Sequence, residues 1–183
     1  MLVSLENSQF FGAAEVAELR SLGLWQDSNT TPAKLAFAAL LLAPVMQIVV
    51  RDDATSTAEF QAMQEYLQKI ERDFALASHS DMESIGTDMG LLPMLRGTWD
   101  TNMFQRALSL LAAVMSRLSE READDVRNAI SKAALAAVRA GSPHMISFHM
   151  VDDKERAMVQ DLIHRLKLER STEGLNLLSK ART

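Results

Sequence analysis

From Leu35 to Val50 the chain runs for sixteen residues with Gln47 as the only polar side chain, held between Lys34 and Arg51. That is short of the ~20 apolar residues a membrane-crossing helix needs, and Pro44 sits inside it. A helix that is apolar all round must be covered by other elements. We read the stretch as a central buried helix wrapped by the rest of the chain, with a re-entrant or membrane-touching segment as the alternative.

The cover has to be helical. Ala and Leu contribute 25 residues each while Val and Ile together contribute 16, a balance that favours helix over strand. No run alternates apolar and polar residues as a half-buried strand does. Instead, apolar residues recur at steps of three and four, which puts them on one face of a helix. Phe60, Met63, Leu67, Ile70 and Phe74 form one such face. Phe104, Leu108, Leu111, Met115 and Leu118 form another, Ala123, Val126, Ile130, Ala133 and Ala137 a third, and Val159, Leu162 and Leu166 a fourth.

Starts and stops agree with these periods. A hydroxyl or carboxylate followed three residues later by Glu can satisfy the orphan N–H groups of a first turn from both directions. Ser56 with Glu59, Ser119 with Glu122, and Asp152 with Glu155 have that spacing. Thr31 before Pro32 starts the apolar helix, because proline at the first helical position loses no hydrogen bond. Gly141, with Pro143 behind it, closes the helix that begins at Ser119, and Gly23 terminates a first helix running from about Phe10. Residues 79–98 hold Gly86, Gly90, Gly97 and Pro93 and predict one short or broken helix. Met82, Met89 and Met94 there suit either an adaptable binding surface or gap-filling in a core.

These signals predict an all-α chain, a bundle of about seven to eight helices spanning residues 1–183 as one domain. Phe37–Ile70 and Leu108–Leu168 share a plan of apolar helix, polar turn, capping box and amphipathic helix, which reads as a pseudo-repeat of helix pairs.

Composition narrows function. The net charge is −5 and no basic run stands out, which disfavours nucleic acid as a partner. Without Cys there are no thiolate metal sites and no cysteine nucleophile. The first eleven residues lack the basic lead of a secretory signal and carry Glu6, so a cytoplasmic location is expected, with membranes reached only through a partner protein. No Gly-x-Ser-x-Gly, Gly-x-Gly-x-x-Gly or Walker sequence is present, and the expectation is a protein that is not an enzyme.

Arg51-Asp52-Asp53-Ala54-Thr55-Ser56-Thr57-Ala58-Glu59 resembles the mark of the tellurite-resistance TerB-like domain family. That mark is an apolar helix ending in Ala-Asp-Gly, then a few residues, then a Ser-x-x-Glu helix start whose Glu stands seven positions after the Asp. The stretch Val151-Asp152-Asp153-Lys154-Glu155, opening a helix that ends Arg165-Leu166-Lys167-Leu168, is similar to the family's later part, and the likeness covers about residues 33–168. Asp53 stands where the family has glycine, and Phe148 stands seven residues before Glu155. The resemblance implies a non-catalytic helical binding or scaffold protein in a metal- or chemical-stress response.

Three groups of residues could carry binding. Asp52, Asp53 and Glu59 put three carboxylates at one helix start, where they would hold a divalent ion such as Ca²⁺ or Mg²⁺ weakly or only complement the helix dipole. His144 and His149, with Asp152, Asp153 and Glu155 following, offer an alternative ligand region, and with Asp161 they would serve a metal-dependent enzyme or small-ligand binder. Asp161 and His164, three apart, have the spacing of half a di-metal carboxylate site and otherwise face solvent or a partner. A protein partner or a homodimer is expected, the latter paired through a face such as Leu91, Leu92, Met94 and Leu95.

Overall fold

The apolar stretch forms helix α2, Pro32–Val49, and Ala33 together with every residue from Leu35 to Val49 is buried. The computed structural model describes residues 11–25, 27, 32–49, 61, 65–66, 99–140 and 153–182. Proline opens α2, as expected, and Pro44 is accommodated inside it. Its ring removes the donor that Leu40 O would have received and crowds that turn. One residue on, Leu41 O accepts a hydrogen bond from the Tyr66 hydroxyl at 3.0 Å in a buried setting. Burial pushes the Tyr66 phenol far above its ordinary pKa, so it stays a donor throughout the working pH range. Tyr66→Phe is expected to cost about 0.5–1.5 kcal/mol in urea unfolding, the net worth of one such bond. No loss at all would mean that helix α2 does not need this donor.

Five further α-helices accompany α2 among the described residues. Helix α1 is Ala13–Ser21, α3 is Thr101–Met115, α4 is Glu120–Ala140, α5 is Asp153–Leu166 and α6 is Thr172–Arg182, with a 3-10 turn at Leu168–Arg170 before the last. Helix α2 packs on α3 and α4 and touches α5, α3 packs on α5, and α4 packs on α6. One contiguous apolar cluster takes residues from all six helices. The fold is all-α, with six α-helices and no strand among the described residues, against the seven to eight expected for the whole chain. The helix expected over Phe60–Phe74, the segment 79–98 and the Leu91–Leu95 face lie mostly or wholly outside the described residues. Among those described, no helix is long and apolar enough to cross a membrane.

Local chemistry sets the boundaries. Gly12, in extended backbone, caps α1 while its N–H donates to Glu15 Oε2 at 2.8 Å, so the helix starts at Ala13 and not near Phe10. At the other end Gly23 has φ +74°. Gly23 N donates to Arg20 O at 3.0 Å and Leu24 N to Leu19 O at 2.8 Å, which satisfies two orphan carbonyls and brings the buried Leu19 and Leu24 together. Ser119 and Glu122 form the expected box at the start of α4. Ser119 N donates to Glu122 Oε2 at 3.0 Å, and Glu122 N approaches Ser119 Oγ at 3.4 Å. The Ser119 hydroxyl and N–H together hold the Glu122 carboxyl below its usual pKa. This contribution is present above the ordinary carboxylate range and is lost as the pH falls through the lowered value.

Candidate functional site

Helix α5 ends at Leu166, and Lys167 follows in left-handed backbone with φ 52° and ψ 43°. It is the one non-glycine residue with positive φ among those described. An L-residue held there costs roughly 1–2 kcal/mol, and helix ends normally use glycine at this place. The reversal leads into the 3-10 turn, so that Arg165, Lys167 and Arg170 all line one cavity of about 520 Å³. Across it, α4 contributes Arg127, its side chain only 10% exposed. The apolar wall comes from Ala112 and Met115 on α3, Leu118 in the connection, Ala123 on α4 and Leu166 on α5. Ser116 and Glu120 complete the lining.

The four cations are held unequally. Arg127 Nη1 donates to Asp124 Oδ1 at 2.6 Å, but Arg127 Nε is buried and without a hydrogen-bond partner. Arg165 Nε donates to both Asp161 oxygens at 2.9 Å. Lys167 and Arg170 form no ion pair among the described residues. A buried donor with no acceptor costs about 1–3 kcal/mol. Together these groups present an excess of donors and positive charge to a half-apolar hollow.

A second hollow, about 500 Å³ between α1 and α3, shows the contrast. Its charges satisfy one another: Arg106 Nε donates to Glu18 Oε1 at 2.6 Å. At its edge Arg117 Nη2 donates to Glu15 Oε1 at 2.7 Å. The Arg106 hydrogen bond holds the Glu18 carboxyl below its usual pKa, against a smaller opposing effect of burial.

The residues singled out in the sequence fall elsewhere. Asp52, Asp53 and Glu59, and likewise His144, His149 and Asp152, lie outside the described residues. Asp153 is the exposed first residue of α5, and Glu155 lies in the same helix. Asp161 is engaged by Arg165 and also accepts from Gln105 Nε2 at 3.3 Å, while His164 beside it is exposed. Among the described residues no three His, Asp or Glu side chains gather as a metal site would need. The cationic cavity went unread because its parts look ordinary in the chain. Arg165, Lys167 and Arg170 do stand within six residues, a usable signal, but Arg127 joins them only through the fold. No protein-family model, curated protein or solved structure matches the chain.

Proposed function

We propose that this chain is a non-catalytic helical binding protein whose small-molecule ligand occupies the cavity between α3, α4, α5 and the 3-10 turn. The observation that carries the reading is the convergence of Arg127, Arg165, Lys167 and Arg170 on a hollow of about 520 Å³ with an apolar wall, a size and character suited to an organic ligand. Binding is favoured over chemistry because the groups offered are mostly cationic donors and apolar contacts, with Glu120 the one carboxylate in the lining. The lining hydroxyl, Ser116 Oγ, donates to Ala113 O at 2.7 Å and so is already engaged. The TerB-like resemblance extends the proposal to a metal- or chemical-stress response, with Asp52, Asp53 and Glu59 as a weak divalent-ion site on the same protein and a protein partner or second copy reading the bound state.

The test is thermal unfolding of the full chain with pools of small metabolite-like compounds, and separately with Ca²⁺, Mg²⁺, Mn²⁺ and Zn²⁺. A ligand at 100 times its Kd adds about 2.7 kcal/mol, a rise of roughly 5–11 °C for a chain of this size. The expected hit is recovered unchanged and loses its effect in Ala112→Trp, which fills the hollow. Conversion of the compound, or a shift that survives in Ala112→Trp, would overturn the reading. A cation shift abolished by Asp52→Ala would support the metal part.

A further inference from the structure

We infer that the ligand of this cavity is a small organic oxyanion, with a carboxylate or phosphate head on an apolar body, held by Arg127 together with Arg165, Lys167 and Arg170. The inference rests on the proposed function and names the ligand's chemistry. Arg127 is the starting point. With Nη1 tied to Asp124 at 2.6 Å, the guanidinium plane is fixed, and a guanidinium is the side chain best suited to an oxyanion head. Its Nε has no partner although the residue is only 8% exposed.

Helix dipoles do not account for this arrangement. Cations near the C-terminus of a helix are favourable in their own right, which would explain Arg165 in the last turn of α5 and Lys167 just beyond it. Arg127 lies in the body of α4, two turns from its start, and gains nothing of that kind. Lys167, moreover, keeps a charged side chain in a backbone conformation that glycine would adopt without strain. Lys167 and Arg170 remain unpaired among the described residues in a chain of net charge −5. Opposite them Met115, Leu118 and Leu166 supply a wall for the apolar body.

Isothermal titration of the full chain with hexanoate, hexyl phosphate, hexanol and hexylamine tests the inference. Either anion is expected to bind, more weakly at high salt, while the alcohol and the amine do not; the tighter anion identifies the head group. Arg127→Met should weaken anion binding roughly 10- to 100-fold, as loss of hydrogen bonds to a charged group does. Lys167→Gly should weaken it several-fold without lowering the melting temperature, so that a weakened fold is told apart from a weakened site. Equal binding of hexanol or hexylamine, lost in Ala112→Trp, would overturn the oxyanion assignment and leave the binding function standing. Folded Arg127→Met that binds the anions undiminished would do the same. If none of the four probes binds but the metabolite pools give a hit that depends on the cavity, the assignment fails alone; if the pools also fail, both readings fall.

Discussion

Gly174→Ala is expected to destabilise the protein by about 3 kcal/mol or more, beyond the ~1–3 kcal/mol of ordinary overpacking. Elsewhere in a helix the same change gains up to ~1 kcal/mol, because alanine has the better propensity. Here space decides. A Cβ at Gly174 would lie 1.7 Å from Leu168 O and 2.3 Å from its carbonyl carbon, and both are backbone atoms that no rotamer change can move. The first turn of α6 would have to lift off the 3-10 turn. That displaces Ser171 Oγ, which donates to Leu168 O at 3.0 Å and accepts from Gly174 N at 3.1 Å. It also pulls Glu173 N from Asn128 Oδ1, now 3.2 Å away, and disturbs the buried Leu177 and Ala181. A thermal melt should show a loss of roughly 6–12 °C. A melting temperature equal to that of the parent chain would show that α6 is not seated as described. At Gly12, by contrast, an added Cβ would meet nothing nearer than 3.8 Å, so Gly12→Ala should lose only the weaker capping of alanine.

This close approach could not be read from the chain, whereas the faces of α3, α4 and α5 could. Ala123, Val126, Ile130, Ala133 and Ala137 were spaced for one face and all five are buried, as are Val159, Leu162 and Leu166. Such periods are local, so packing preserves them. The Ser119–Glu122 box and the Gly23 stop are also local, closed by atoms a few residues apart. The start of α6 escaped because Gly174 stands three after Ser171, where the box pattern looks for Glu. Arg127 reads as a charged residue beside the core face of α4. Only when the end of α5, about forty residues later, is laid against α4 does it become part of a cavity. The candidate site is therefore a product of tertiary packing, and the sequence held only the Arg165–Arg170 half of it.

The second large effect is expected at Phe37→Ala, a loss of about 3–5 kcal/mol in urea unfolding. Phe37 has no exposed surface, and the α2 turns on either side of it, Leu35, Ala36, Leu40 and Leu41, are exposed by 2% or less. Truncation removes the ring's transfer free energy and leaves a hollow that rigid neighbours close only in part. The reason for such rigidity is α2's position: it packs on α3, α4 and α5, so a movement that fills the gap on one side opens another. The measurement also separates the two sequence readings of the apolar stretch. A helix wrapped by protein loses stability at Phe37 in aqueous buffer, without lipid. A helix that worked by touching a membrane would have Phe37 facing lipid, and its truncation would reduce vesicle binding while leaving the urea midpoint near its parent value. A loss under 1 kcal/mol with the m-value unchanged would count against α2 as the centre of the fold. Because α3, α4 and α5 hold the cationic cavity on that rigid platform, the folded fraction of Phe37→Ala should bind ligand as the parent chain does, and binding should weaken only in proportion to the fraction unfolded.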